Sequence, residues 1–116
     1  MNRSLYEKVL ECCCLTYDLQ QMKEGDKTYI DPNSTNISGG QRNRIVLARA
    51  IYSQRKIMLL DNPLSALDIK VGEKINYNLH QLCKKDNLTI FMTLHSSYYI
   101  KNDDRIFYIK DRKLRE

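Results

Sequence analysis

The chain has 116 residues, 42% of them hydrophobic and 28% charged, which is the composition of a soluble globular domain and excludes a disordered or fibrous protein. No apolar run exceeds four residues, whereas a helix needs roughly 20 to cross a bilayer, and the N-terminal segment lacks the apolar stretch of a secretory signal. The net charge of +5 comes from basic residues scattered among acidic ones, which argues against a nucleic-acid partner. We therefore expect a cytosolic segment.

The cysteines predict neither a metal site nor a disulfide framework. Three of the four are consecutive, at positions 12 to 14, and the fourth is Cys83, so no Cys-x-x-Cys spacing is present. In a chain without an export signal, such thiols are usually buried and reduced, and they pack as small hydrophobic groups. We expect that role for all of them.

The first third of the chain reads as two short helices followed by a loop. Ser4 and Glu7 fit the capping-box pattern, in which each side chain accepts a hydrogen bond from the other residue's backbone, and apolar residues at helical spacing follow for about ten residues. Asp18 predicts the cap of a short second helical turn. Turn-forming residues dominate from 23 to 36, with a brief extended piece at Thr28 to Ile30.

The rest of the chain alternates helix and strand. A second capping box, Ser38 with Gln41, predicts a helix that extends to about Ser53. The continuous apolar run from Lys56 to Leu60 is typical of a strand that is covered on both faces in a parallel sheet. A helix at 71–82, a strand at 88–93, a short helix or turn at 97–102 and a third strand at 105–110 follow. This order predicts an α/β fold with parallel strands joined by crossovers.

A candidate phosphate site lies at the start of the long helix. The first backbone N–H groups of a helix have no intrahelical partner, the helix dipole is positive there, and glycines let an anion approach closely. Ser-Gly-Gly alone is also compatible with a flexible cap. Its continuation from Arg44 to Ala50 makes the segment resemble the signature motif of ABC transporters, which implies contact with the ATP phosphates of an opposite domain. The residues are Ser38, Gly39, Gly40 and Gln41.

The strand that ends at Leu60 brings Asp61 to the carboxyl edge of the predicted sheet, where ligands of open α/β sheets bind. An apolar strand followed by Asp is by itself weak evidence for a ligand-binding carboxylate, since many such Asp residues cap helices. Here a second motif follows, and the pair resembles the Walker B strand and D-loop of ABC domains. The resemblance implies that Asp61, ionised at neutral pH, holds the Mg²⁺ of MgATP. The D-loop residues are Ser65, Ala66, Leu67 and Asp68.

His95 follows the strand predicted at 88–93. A histidine near a strand end is more often structural than functional. Its position after a Walker B strand and a D-loop, however, resembles that of the H-loop histidine of ABC domains. The resemblance implies a catalytic contact of His95 with the γ-phosphate and the attacking water.

Several positions depart from the pattern of ATP-hydrolysing ABC domains. Asn62 stands where the catalytic Glu is usual, and an amide cannot accept a proton at neutral pH. General-base catalysis contributes roughly 10²- to 10⁴-fold, so a site built on this Walker B strand should hydrolyse ATP slowly or not at all. Asp31-Pro32 replaces a usual Gly-Glu, which bears on the contact with transmembrane coupling helices, and Leu94 replaces a usual Thr.

A further departure is that none of the four glycines is followed by Lys-Ser or Lys-Thr, so the sequence has no P-loop. The chain thus carries half of an ATP site. We expect the isolated chain to be inactive, to bind no ATP measurably, and to expose apolar sheet faces that favour aggregation.

Over nearly its whole length the chain resembles the first nucleotide-binding domain of C-subfamily ABC proteins, which include multidrug-resistance-associated and sulfonylurea-receptor types. The resemblance implies a partial P-loop NTPase fold that lacks the P-loop half. Residues 1–54 would form part of the helical subdomain with the signature helix, and residues 55–116 the C-terminal part of the ATPase core. ATP and Mg²⁺ are the implied ligands. Transmembrane domains of the same polypeptide and a place at the cytosolic face of a membrane are also implied.

ABC domains pair head to tail, so the resemblance also implies a second nucleotide-binding domain as partner and two unequal ATP sites. The signature would complete a competent site on the partner domain. Asp61, Asn62 and His95 would belong to a site that binds ATP but hardly hydrolyses it.

The leading function is therefore the ATP-binding part of an exporter, which couples ATP binding and hydrolysis to substrate movement. The alternative is a nucleotide-sensing subunit of a potassium channel, of the sulfonylurea-receptor type. The residues at 65–69 slightly favour a resemblance to the channel regulator, whereas Val71-Gly72 favours a resemblance to exporters. A chromosome-maintenance ATPase fits the continuation of the signature less well. A truncated product without independent activity is also compatible with the missing P-loop.

Overall fold

The computed structural model describes residues 2–33 and 35–116. Met1, and Ser34 in the loop predicted at 23–36, lie outside the described residues. The helices are α1 (Arg3–Cys12), α2 (Thr16–Gln21), α3 (Gly39–Tyr52) and α4 (Ile69–Asp86), with short 3₁₀ turns at Gly25–Lys27 and Ser97–Tyr99. The strands are β1 (Ile57–Leu60), β2 (Thr89–Met92), β3 (Tyr108–Lys110) and β4 (Lys113–Arg115).

The first two helices form where they were predicted but are capped differently. Asn2, not Ser4, caps α1, because its side chain accepts a hydrogen bond from the backbone N–H of Leu5. Glu7 pairs with Arg3 one turn earlier instead of completing a capping box. Asp18 does not cap α2, which has no side-chain cap, because its carboxylate faces α3. Both capping predictions for this part of the chain are wrong.

Strands β1 and β2 pair in parallel, as predicted, with Leu60 beside Met92 at their carboxyl ends. The prediction that β1 is covered on both faces is wrong in this structure. Met58 packs against the helices and is 6% exposed, whereas Leu59 on the opposite face is 78% exposed. Ile57 and Phe91 are also exposed on that side. The sheet therefore has one helix-covered face and one open apolar face.

The third predicted strand does not join this sheet. β3 pairs antiparallel with β4, which the sequence did not predict, and the two form a hairpin. Asp111 and Arg112 between them both have positive φ, 51° and 58°, as the tight turns of two-residue hairpins require. Residues 28–30, predicted as a brief extended piece within a loop, form neither a helix nor a strand. The prediction of an α/β class with a parallel strand pair is confirmed. Within the described residues, however, the parallel sheet consists of β1 and β2 alone.

The core lies between the helices and the covered face of β1. Its fully buried side chains are mainly aliphatic and come from the segments around α1, α3, α4 and the turn after β1. Cys13 belongs to this core, whereas Cys12, Cys14 and Cys83 are half-buried, so the prediction of burial is confirmed for Cys13 alone. Burial raises the pKa of the Cys14 and Cys83 thiols. The largest buried side chains of the core are Leu15, Leu47, Ile51, Leu64, Ile75 and Leu79.

Among the described residues, every helix is too short or too polar to cross a bilayer.

Candidate functional site

The start of α3 has the predicted capping box. The Ser38 hydroxyl accepts a hydrogen bond from the Gln41 backbone N–H at 3.1 Å, and the Gln41 side chain accepts one from the Ser38 N–H at 2.9 Å. Two donors are satisfied in this way. Gly39 and Gly40 are the first helical residues, whose N–H groups have no intrahelical partner. The helix start therefore offers two free donors and a positive dipole end.

A partly buried ion pair anchors this helix to the segment before it. Arg44 Nη1 donates to Asp18 Oδ2 at 2.6 Å and to the Cys14 carbonyl, and the Gln41 amide donates to Asp18 Oδ1 at 2.8 Å. Burial alone would raise the pKa of Asp18, but the hydrogen bonds from Arg44 and Gln41 outweigh burial and lower the pKa. Asp18 is thus a fixed anion that orients the side chain of a signature residue.

The two glycines of the signature have different surroundings. A Cβ on Gly39 would meet nothing within 4 Å, so this position faces open space. A Cβ on Gly40 would lie 3.0 Å from the Ala66 carbonyl oxygen and 3.6 Å from the Leu67 side chain. Gly40 therefore permits a close approach between the start of α3 and the segment after β1.

This approach creates a cavity of about 410 Å³ between the signature and the predicted D-loop. The cavity has the unpaired N–H end of α3 on one side and the start of α4 on the other. Asp68 caps α4, since its Oδ1 accepts a hydrogen bond from the Val71 N–H at 3.0 Å. The lining residues are Ser38, Gly39, Gly40, Arg44, Ala66, Leu67, Asp68 and Val71.

The other predicted site residues lie at the carboxyl edge of the β1–β2 sheet. Thr93, just after β2, donates from its hydroxyl to Asp61 Oδ1 at 2.6 Å and accepts from the Asn62 N–H at 2.8 Å. Asn62 has a φ of 45°, a left-handed conformation that Asn adopts more readily than most residues. His95 follows two residues after Thr93, and its exposed side chain makes no hydrogen bond to the described residues.

The structure thus separates the predicted site residues into two groups. The signature residues Ser38, Gly39 and Gly40 share a cavity with the D-loop residues Ala66, Leu67 and Asp68. Gln41 faces Asp18 instead, and Ser65 bonds the Asn62 carbonyl. Asp61, Asn62 and His95 belong to the sheet edge and do not line that cavity.

Sequence reasoning missed two residues that hold the site. Asp18 is predicted as a cap, whereas in the structure its carboxylate pairs with Arg44 of the signature continuation, and no local sequence signal marks this pairing. Thr93 was assigned only to a strand. Its position at the carboxyl end of a strand parallel to the Asp61 strand was the signal that could have identified it, because parallel strands end at the same sheet edge.

The residues present fit part of a MgATP site. Asp61 has one oxygen bonded to Thr93, while Oδ2 accepts no hydrogen bond from the described residues and is available to a cation. Mg²⁺ is commonly held by one or two carboxylates together with phosphate oxygens and water, so one protein ligand here is compatible with it. At α3, the free N–H groups and the open side of Gly39 suit a phosphate. These features lie on two different surfaces of the chain.

Comparison with known proteins supports the resemblance drawn from the motifs. The family described as "ABC transporter" matches residues 15–65, which include the signature and the Asp61 segment. The chain is 42% identical over 117 residues to human "ATP-binding cassette sub-family C member 4", covering 97% of the chain and 8% of that protein. It is 37% identical over 120 residues to "ABC transporter C family member 8" of Dictyostelium discoideum, covering 100% of the chain and 7% of that protein.

Human "ATP-binding cassette sub-family C member 8" is 36% identical over 111 residues, covering 95% of the chain and 7% of that protein. The chain therefore spans less than a tenth of the length of these relatives, and it matches them over almost all of its own length. The prediction of a C-subfamily ABC resemblance is confirmed, and with it the α/β fold of P-loop NTPases.

Proposed function

Because the chain is a homologue of the C-subfamily ABC transporters, we propose that it forms the signature-bearing and Walker B-bearing part of an ATP-binding domain that drives export of a substrate across a membrane. In this proposal residues 1–54 belong to the helical subdomain and residues 55–116 to the ATPase core. The domain works at the cytosolic face, joined to transmembrane domains and paired head to tail with a second nucleotide-binding domain.

The observation that carries the proposal is the cavity between the signature and the D-loop. It places the two free N–H donors of Gly39 and Gly40 beside the residues that begin α4, with Arg44 held at its side. A phosphate of ATP bound by the partner domain would accept hydrogen bonds from these donors and gain from the helix dipole. Closure of the domain pair would then depend on nucleotide at this surface.

The sheet edge takes part in the other site. Asp61 would hold Mg²⁺ through its free oxygen while Thr93 fixes the orientation of its carboxylate. Mg²⁺, when bound, neutralises phosphate charge. Asn62 leaves that site without a general base, so ATP bound there would be retained rather than hydrolysed. His95 would orient the γ-phosphate end of the same nucleotide.

The assignment is tested by ATPase measurements on the assembled protein that contains this segment. Gly39→Asp adds a carboxylate where there is space for it, and repulsion of the phosphate should lower ATPase activity by about 100-fold or more. Gly39→Asn, of the same size but neutral, should retain more activity. Equal loss in both variants would mean that shape rather than charge matters, and the phosphate assignment would fail.

Substitution at the sheet edge is the second arm. Asn62→Ala should change ATPase activity by less than about twofold, because this position supplies no base. Asn62→Asp is the control for backbone strain, because Asp, like Asn, tolerates the positive φ at this position. It also adds a carboxylate, so it tests the effect of a base without a change in backbone fit. A loss with Asn62→Ala as large as that with Gly39→Asp would contradict the two-site assignment.

A further inference from the structure

A large cleft lies at the opposite end of the β1–β2 sheet from Asp61. It has a volume of about 940 Å³ and is formed by α1, the C-terminal end of α3, the start of β1 and the part of α4 from Lys74 onwards. Its lining includes none of the signature, D-loop or His95 residues. The nucleotide sites described above therefore do not account for it.

The cleft has an apolar floor. Leu5 of α1, Leu82 of α4 and Leu88 just before β2 are half-buried at this floor, and Val9 and Met58, which also line it, are only 4% and 6% exposed. These side chains come from four separate parts of the chain, so the floor depends on the tertiary fold and not on one amphipathic helix. Polar and charged side chains make up most of the remaining lining, so the cleft combines an apolar floor with a polar rim.

The charged side chains around the floor are predominantly basic. Two carboxylates, Glu11 and Asp86, are outnumbered by five cations. Lys56 donates from its ammonium to the Asp86 carbonyl oxygen at 2.8 Å. None of the five takes part in an ion pair within residues 2–33 and 35–116. Like charges grouped at one cleft repel each other, and an anionic occupant would relieve that repulsion. The cations are Lys8, Arg55, Lys56, Lys74 and Lys85.

We propose that this cleft binds an acidic amphipathic peptide segment of a partner protein. Apolar side chains of the segment would cover the floor, and its carboxylates would face the lysines at the rim. A small inorganic anion could meet the charges but would leave the apolar floor in water. A flat anionic membrane could meet the rim but would not reach into a concave floor. The chemistry of the cleft therefore requires an occupant with both an apolar stripe and acidic groups.

The proposal is tested by fluorescence anisotropy with the assembled protein that contains this segment and labelled synthetic peptides of about 14 residues, a length that gives roughly four helical turns. The probe peptide carries Leu at helical spacing and Glu elsewhere. One control peptide replaces Glu with Lys, and a second replaces Leu with Ser. We expect saturable binding of the Leu/Glu peptide alone, weakened when salt rises from about 0.05 M to about 0.3 M.

Matched variants locate the binding. Lys74→Glu with Lys85→Glu reverses two rim charges on exposed positions of α4 and should weaken binding by about tenfold or more. Lys23→Glu with Lys110→Glu makes the same change in net charge away from the cleft and should alter the affinity by less than about twofold. Circular dichroism checks that each variant keeps the fold of the unaltered chain.

Three results would overturn the proposal. Equal weakening by the two double variants would show attraction to net charge alone. Equal binding of the Leu/Glu and Ser/Glu peptides would show that the apolar floor is not used. Absence of binding, or equal binding of vesicles with anionic lipid, would exclude a peptide-specific cleft. Because the cleft and the nucleotide sites share no site residue, each proposal can fail without the other.

Discussion

The signature end of α3 and the carboxyl edge of the β1–β2 sheet are held in different ways. At α3, a capping box and the ion pair between Asp18 and Arg44 fix the backbone and one side chain, and the Arg44 and Asp18 side chains are only 13% and 16% exposed. At the sheet edge, one hydroxyl, that of Thr93, bonds both Asp61 and Asn62. His95 beyond it is exposed.

This difference indicates which surface the described residues complete by themselves. The signature is positioned by contacts of α3 with Asp18 of α2 and with Ala66 and Leu67 before α4, all within the chain. The sheet edge has the open apolar face of Leu59 beside it and few polar contacts, which fits a surface that needs further packing partners. Substitutions should therefore act on stability more strongly at α3 than at the sheet edge.

The largest effect is expected from breaking the anchoring ion pair. Arg44→Ala leaves the Asp18 carboxylate without its partly buried partner and should lower the free energy of unfolding by about 3 kcal/mol. Urea unfolding followed by circular dichroism measures it. Arg42→Ala, on the exposed side of the same helix, should cost less than about 0.5 kcal/mol. Equal losses would mean that the pair does not anchor α3.

The next effect separates the two glycines. Gly40→Ala places a Cβ 3.0 Å from the Ala66 carbonyl oxygen, so the start of α3 and the D-loop must shift apart, at a cost of about 1 to 2 kcal/mol. The Cβ added by Gly39→Ala has no atom within 4 Å, so this variant should be neutral or should stabilise the helix by up to about 1 kcal/mol. Thermal unfolding of the two variants compares them directly. If both behave alike, the close approach at Gly40 is not a constraint.

At the sheet edge a smaller loss is expected. Thr93→Val removes the hydroxyl that bonds Asp61 and Asn62 while keeping the shape, and should lower stability by about 1 kcal/mol. Thr89→Val, exposed at the other end of β2 and without a side-chain hydrogen bond to the described residues, is the matched control and should be nearly neutral. A loss at Thr93 that exceeds the loss for Arg44→Ala would reverse the comparison between the two regions.

The smallest effect concerns the segment that follows His95. His80 on α4 contacts the Asn76 carbonyl and Asp104 Oδ1, each at 2.8 Å. Burial alone would lower the pKa of His80, but these partners outweigh burial and raise the pKa above 6.5. The protonated ring therefore stabilises the fold fully below pH 6.5, and this contribution is lost as the pH rises through the raised folded-state pKa.

The effect of His80 on stability is measured by comparing the melting temperatures of the unaltered chain and of His80→Gln as the pH rises from below 6.5 through the raised pKa of His80. The variant should lose this part of the pH dependence, because Gln does not titrate. An unchanged pH dependence in His80→Gln would show that the His80 contact with Asp104 contributes no pH-dependent stability.

The helices were largely predictable because their signals are local. Ser38 and Gln41 lie three residues apart and complete their capping box without any distant partner. The Asn2 cap was missed because two residues near that helix start, Asn2 and Ser4, are both able to cap, and the choice depends on where α1 begins. The hairpin of β3 and β4 was missed because its turn residues, Asp111 and Arg112, do not form one of the usual glycine-containing turn pairs.

The sequence by itself determined the order of helices and strands up to β3, the parallel pairing of β1 with β2 and the identity of the candidate site residues, because these follow from periodicity and from motifs of adjacent residues. Only the tertiary structure decided that Asp18 holds Arg44, that Gly40 lies against Ala66 and that Thr93 bonds Asp61. Each of these three contacts joins residues 26 to 32 positions apart and depends on how the elements pack. Packing brings together side chains whose pairing has no signature in the local sequence.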